Sequence, residues 1–140
     1  MNRQTVILDT GPLVAFLNRK DAYHEWAVYQ LSNITYPVYT CEAVITEACF
    51  LLKKFHNGAD SVLELIERGL LSISFNLEEE IDIIRKFVSQ YENISISYAD
   101  ACLIRMSEQN KNSNVLTLDS DFKIYKKNRR NVIPVIMPEI

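Results

Sequence analysis

The chain has 140 residues, 48% apolar and 24% charged, enough for one compact domain with its own core and no need of disulfide staples. With 15 basic against 18 acidic residues the net charge is −3, which excludes a protein that coats nucleic acid by bulk electrostatics but leaves room for an enzyme that gathers carboxylates. No apolar run approaches the ~18 residues of a membrane span, and Met1 to Thr10 lacks the features of a signal peptide, so a single cytoplasmic domain over residues 1–140 with no membrane contact is expected.

Thr5 to Leu8 reads as a strand, and its continuous Val6-Ile7-Leu8 run predicts a central place in a sheet. Asp9-Thr10-Gly11-Pro12 ends it and leads into a short apolar helix, Leu13 to Leu17. Tyr23, Trp26 and Tyr29 fall on the next helix, where they serve either as a face between two copies or, the reading preferred here, as core packing over the sheet. Val38 to Thr40 is a second strand, and a long helix from about Cys41 to Phe55 follows, with Val44, Ala48, Leu51, Leu52 and Phe55 on one face. Gly58 and Gly69 bracket a helix around Val62 to Ile66.

Leu71 to Phe75 alternates apolar and polar residues, as an edge strand does. Leu77 to Tyr91 repeats the helical spacing through Ile81, Ile84, Val88 and Tyr91, with Glu78 to Glu80 as a solvated first turn that suits the helix dipole. Ser97 opens another helix, Asn110 to Asn114 is a polar turn, Val115 to Leu118 is a fourth strand, and Val132 to Ile136, interrupted by Pro134, is a fifth at an edge. Strands alternating with helices imply an α/β fold with a five-stranded parallel sheet and crossover connections. The predicted order is 3-2-1-4-5, which puts a ligand-binding crevice between strands 1 and 4.

Four acids stand at the ends of strands or on helices beside apolar residues. Asp9 ends strand 1 and Asp119 ends strand 4, so the predicted order sets them side by side at the carboxyl edge of the sheet. Glu47 sits mid-helix at the margin of a core-facing stripe, between Val44 and Leu51. Asp100 follows Ser97 in a Ser-x-x-Asp capping pattern, on the same helical face as Leu103 and Ile104. Each has an ordinary explanation as a cap or as a side chain reaching for solvent. Taken together they predict one acidic pocket, made tolerable by a hard divalent cation such as Mg²⁺ or Mn²⁺. Asp9, Asp100 and Asp119 are the expected ligands, with Glu47 acting through water or orienting the nucleophile. Thr10 offers a hydroxyl to the same pocket, and Asp121 is expected to reach the metal through water or to orient Thr117.

Cys41, Cys49 and Cys102 form an odd, widely spaced set far from His24 and His56 in sequence, which argues against zinc and disulfides and for small buried hydrophobes. Lys123, Lys126, Lys127, Arg129 and Arg130 form a basic cluster; Lys126, Lys127, Arg129 and Arg130 either follow an RNA backbone or belong to a solvated turn.

The Val6-Ile7-Leu8-Asp9-Thr10 start, Glu47 in Val44-Ile45-Thr46-Glu47-Ala48, Asp100 in Tyr98-Ala99-Asp100-Ala101 and the closing Leu116-Thr117-Leu118-Asp119-Ser120-Asp121-Phe122 resemble, in that order, the PIN-domain family and its VapC-type toxin ribonucleases. The resemblance implies a three-layer α/β/α fold and a Mg²⁺- or Mn²⁺-dependent endoribonuclease, often a homodimer and often paired with an antitoxin. By the same resemblance Asp9, Glu47, Asp100 and Asp119 match the acidic quartet, Thr10 the hydroxyl position, and Asp121 an optional further acid.

Three rivals differ in class. A non-catalytic α/β interaction domain would use the same acids as helix caps, and a PIN protein of RNA processing would share the chemistry without being a toxin. A phosphoacceptor receiver domain needs an Asp after the third strand, where Phe75-Asn76 stands instead. Asp9-Thr10-Gly11 also mimics an aspartic protease signature, but long amphipathic helices and only 3 glycines argue against that β-rich architecture.

Overall fold

The computed structural model describes residues 4–139. In chain order the strands are β1 (Thr5–Leu8), β2 (Val38–Thr40), β3 (Leu71–Ile73), β4 (Ser113–Leu116), β5 (Lys126–Lys127), β6 (Asn131–Val132) and β7 (Val135–Ile136). The helices are α1 (Thr10–Leu17), α2 (His24–Ser32), α3 (Glu42–Leu52), α4 (Gly58–Glu67), α5 (Ile81–Gln90) and α6 (Tyr98–Gln109). Five strands form a parallel sheet in the order β3-β2-β1-β4-β7, and β5 and β6 pair separately as an antiparallel hairpin.

The sheet is built outward from β1. Val6, Ile7 and Leu8 are all buried, as are Val115 and Leu116 of β4. Because side chains alternate between faces along a strand, consecutive burial means that both faces are covered, the middle layer of an α/β/α sandwich. The β1–β4 ladder is in register from Thr5 opposite Ser113 to Leu8 opposite Leu116. It continues one step further, where the Asp9 amide donates to the Leu116 carbonyl at 3.0 Å. On the other side of β1, the buried Thr40 hydroxyl donates to the Leu8 carbonyl at 2.8 Å, tying β2 to the strand end from which the site grows.

Helix α6 lies against β1 and β4. Ala99, Ala101, Cys102, Leu103, Ile104 and Met106 are all buried in it, so it is apolar around most of its circumference rather than along one stripe. Among the described residues no helix is long and apolar enough to cross a membrane.

Several elements are shorter or shifted relative to expectation. The fourth strand begins and ends two residues early, at Ser113 and Leu116, because Thr5 recruits Ser113 as its partner. The fifth is split: Val132 turns back to pair with Lys126 in the hairpin, while Val135–Ile136 joins β4. Pro134 explains the break, since it has no N–H for the ladder, although its carbonyl still accepts from Val115 at 2.9 Å. Strand β3 stops at Ile73 rather than Phe75.

Helix α3 ends at Leu52, so Val44, Ala48 and Leu52 form the buried stripe while Leu51 and Phe55 are exposed. Helix α5 starts at Ile81 rather than Leu77, with Glu80 at its N-cap. Glu80 is not part of a solvated face: it binds Arg105 of α6 at 3.0 Å and accepts from Gln109 at 2.6 Å, joining two neighbouring helices. Tyr29 points to solvent and Tyr23 is exposed, so of the aromatic trio only Trp26 packs on the core, edge-on to Tyr23 at 6.5 Å between centroids.

Gly58 opens α4 where this helix crosses the end of α3. A Cβ there would collide with the Leu52 carbonyl oxygen and crowd the Leu52 Cβ. Helix propensity alone favours Ala over Gly by ~1 kcal/mol, whereas overpacking costs about 1–3 kcal/mol. The Gly58→Ala variant is therefore expected to be less stable by urea denaturation; equal or greater stability would show that the two helices can separate at little cost.

Candidate active site

Where β1 ends, Asp9 adopts extended backbone geometry and caps α1, its Oδ1 accepting the Thr10 amide at 2.7 Å. One step beyond Leu8↔Leu116 in the parallel register, the residue beside Asp9 is Thr117, not Asp119. The Thr117 hydroxyl donates to Asp9 Oδ2 at 2.7 Å and accepts the Asp119 amide at 2.9 Å. Asp119 then caps a short 3₁₀ turn over Ser120–Lys123, its Oδ1 accepting the Asp121 amide at 2.9 Å. Thr117 is thus oriented by Asp9 and Asp119; the expected role of Asp121 in orienting it is not seen. Asp119 stands beyond the strand rather than on its last residue, because β4 closes at Leu116.

The opposite wall comes from α6. Ser97 caps this helix by accepting the Asp100 amide at 3.0 Å. The return arm of a capping box would run from the Asp100 carboxylate to the Ser97 amide, but Asp100 Oδ2 instead accepts from the Tyr125 hydroxyl at 3.0 Å. Tyr125 is fully buried, held edge-on between Tyr91 and Phe122. Sequence reasoning missed it: a lone tyrosine 25 residues from its acid carries no local pattern.

A cavity of about 460 Å³ receives Asp9, Glu47, Asp100 and Asp119, together with Thr10 and Asp121. Gly11, Leu51, Ser95, Ser97 and Leu118 complete its lining, which contains no lysine or arginine. Glu47 reaches the cavity from mid-α3 and is itself exposed, while Asp9 and Asp100 are buried.

Burial pushes the Asp9 carboxyl up to about 6, against the hydrogen bonds from Thr117 and Thr10 and with the charges of Asp119 and Glu47 adding to the rise. Burial, then the charge of Asp9, pushes Asp100 up to about 7, while the Tyr125 hydrogen bond works in the other direction. The acids therefore repel one another across the cavity. As placed, no three Asp, Glu, His or Cys side chains among the described residues form a group that could hold an ion.

Cys41, at the N-cap of α3, and Cys102 of α6 are buried free thiols. Cys49 is half-buried and separate. The basic cluster does not join the acids. Its hairpin packs on the far half of α6, where Lys127 is buried and its Nζ donates to the Ser107 carbonyl at 3.3 Å, in the last helical turn. A cation is favourable at such a C-terminus. This takes Lys127 out of any exposed RNA-tracking surface. Lys126 is half-buried and lines a different cavity with Arg129, while Lys123, Arg129 and Arg130 are exposed.

The order of strands and the acid-lined crevice at their carboxyl ends define a doubly wound α/β protein with a polyanionic site. The PIN-domain family model matches residues 6–128, and the chain belongs to that family. Its fold is similar to that of VapC20 from Mycobacterium tuberculosis, described as a sarcin-ricin-loop-cleaving toxin: TM-score 0.74, 21% identity, covering 86% of this chain and 94% of that one. It is also similar to VapBC2 from Rickettsia felis, solved bound to a DNA fragment from its promoter, with TM-score 0.62, 15% identity, and coverage of 97% of this chain and 100% of that one. No curated protein matches the sequence.

Raised carboxyl pKa values make stability depend on pH in a stated direction. Asp9 and Asp100 bind protons more tightly in the folded chain, so their contribution is full below about pH 4 and is lost as pH rises through about 6 and 7. The rise at Asp9, from 3.8 to about 6, corresponds to ~3 kcal/mol. Asn recovers only ~1–2 kcal/mol of this, because its amide nitrogen must face one of the two donors that Asp9 accepts. In chelator-treated protein, Asp9→Asn should raise the Tm at pH 8 and leave it unchanged or lower at pH 4. A shift of equal size at both pH values would remove electrostatic strain as the cause.

Proposed function

We propose that this protein is a Mg²⁺- or Mn²⁺-dependent endoribonuclease, hydrolysing RNA phosphodiester bonds as the toxin of a toxin–antitoxin pair. The observation that carries the reading is the cavity itself: five carboxylates, Asp9, Glu47, Asp100 and the neighbouring Asp119 and Asp121, share it with no basic side chain in its lining, and two are buried and raised in pKa by burial and mutual repulsion. A dication answers that imbalance, and the donor set is all oxygen, as such ions require. The buried Thr10 hydroxyl, which has no hydrogen-bond partner, is a further hard oxygen at the same place. The donor chemistry therefore suits the ion, whose binding would have to draw together carboxylates that, among the described residues, stand apart as placed.

Asp9, Asp100 and Asp119 would hold it. When bound, it supplies Lewis-acid polarisation of the scissile phosphate and acidifies the attacking water. Thr117 fixes the rotamer of Asp9 and, through the Asp119 amide, the backbone that carries the third acid. Glu47, exposed and lining the cavity, would orient water or receive its proton. RNA as substrate and an antitoxin as partner are supported by membership of the PIN family and by similarity to VapC20 and VapBC2; the proposed assembly is a homodimer in the cytoplasm.

Incubation of purified protein with labelled RNAs tests the reading. Cleavage should require Mn²⁺ or Mg²⁺, stop with chelator, and fall at least ~100-fold in Asp9→Asn and Asp119→Asn, comparable to the loss of a principal electrostatic group in other enzymes. Retained cleavage in either variant would remove that acid, and cleavage in chelator would remove the metal. Arg129 and Arg130 remain exposed to an RNA backbone. Changing both to Ala should reduce the salt dependence of RNA binding by a slope of ~1–2; an unchanged slope would make the hairpin a purely structural feature.

A further inference from the structure

Tyr125 lies outside the acidic quartet and outside the lining of the cavity, yet its hydroxyl is bonded to one of the four acids. We propose that Tyr125 is a positioning residue for the metal site: by donating to Asp100 Oδ2 it fixes the rotamer in which that carboxylate would face the cation. This rests on the metal-dependent reading above and deepens it. The geometry is specific. The Tyr125–Asp100 bond is 3.0 Å and buried, and Asp100 lines the cavity beside Ser97, whose hydroxyl is a second hydrogen-bonding neighbour of the carboxylate.

The ring cannot drift. Phe122 meets it at 5.1 Å and 90°, and Tyr91 at 5.0 Å and 67°, both edge-on. The Tyr91 hydroxyl accepts the Lys126 amide at 2.9 Å, pinning the chain one residue beyond Tyr125. From behind, the Tyr125 amide donates to the Asp121 carbonyl at 3.0 Å. The 3₁₀ turn that begins at Asp119 thus delivers Tyr125 to Asp100, and one short segment shapes two acids on opposite walls.

A carboxylate near the N-terminus of a helix can adopt several rotamers, and the ordinary one for a Ser-x-x-Asp pattern turns back to the cap. Tyr125 holds Asp100 in one of them. Its effect should therefore fall on ion affinity rather than on the chemical step at saturating ion. The effects of groups that orient metal ligands reach 10–100-fold in affinity in other proteins.

The test uses Tyr125→Phe, which keeps the ring and removes only the hydroxyl, in the full chain. Mn²⁺ binding is measured by calorimetry and by electron paramagnetic resonance, and the fold by near-ultraviolet circular dichroism. The expected result is a native fold with Mn²⁺ Kd raised ~5–50-fold, and RNA cleavage that recovers most of its rate when Mn²⁺ is raised to match. In an Asp100→Asn background the same change should add nothing to the Mn²⁺ Kd, which separates action through Asp100 from general loosening. Tyr36→Phe, which removes a hydroxyl bonded to the Leu31 carbonyl and outside the cavity lining, should leave Kd unchanged.

Wild-type affinity in Tyr125→Phe, or an equal further loss in the Asp100→Asn background, would overturn the role of Tyr125 while leaving the ribonuclease reading intact. Loss of fold in Tyr125→Phe would make the hydroxyl a structural group and also overturn it. Failure of the wild-type protein to bind Mn²⁺ would overturn both.

Discussion

The site depends on one constraint, the in-register parallel pairing of β1 with β4. Because Leu8 lies opposite Leu116, the next pair brings a carboxylate against a hydroxyl, and the Asp9–Thr117 bond closes at 2.7 Å. A slip of one residue would send Thr117 to the other face of the sheet and leave Asp9 buried with one fewer donor. The buried residues Val6, Ile7, Leu8, Val115 and Leu116 pack in that register along the ladder from Thr5–Ser113 to Leu8–Leu116. Hydrophobic packing thus supports the geometry of an acidic site that it otherwise opposes.

That opposition is the energetic character of the crevice. Burial disfavours the charged forms of Asp9 and Asp100, and their neighbours disfavour them further. The fold keeps the acids in place with local hydrogen bonds: the caps of α1 and of the 3₁₀ turn, Thr117 between two strands, and Tyr125 across to α6. Asp9 and Asp119 cap their helical turns and also face the cavity, whereas the Asp100 carboxylate faces it while bonded to Tyr125. The two roles are compatible because a carboxylate oxygen has more than one lone pair.

Much of this was legible in the sequence. Continuous apolar runs marked β1 and β2 to the residue, and the alternation of strands and helices gave the sheet order, because buried parallel strands and amphipathic helices differ in period. The acids were legible because carboxylates beside apolar runs have few uses. What escaped depends on distant partners. The split of the last strand needed knowledge that Val132 would find Lys126. Lys127 read as a surface charge because nothing local reveals that Ser107 waits 20 residues away at a helix end. Tyr125 was invisible for the same reason, and the early end of β4 followed from Thr5 choosing Ser113.

The broken last strand has one more effect. β7 offers only two residues to its neighbour, and the sequence places prolines at 134 and 138 on either side of it. An incoming extended peptide would find almost no run of free amides along that flank, which is how natural sheets discourage uncontrolled stacking with other chains. The same interruption that shortens the ladder keeps a half-buried, valine- and isoleucine-bearing border from seeding aggregates.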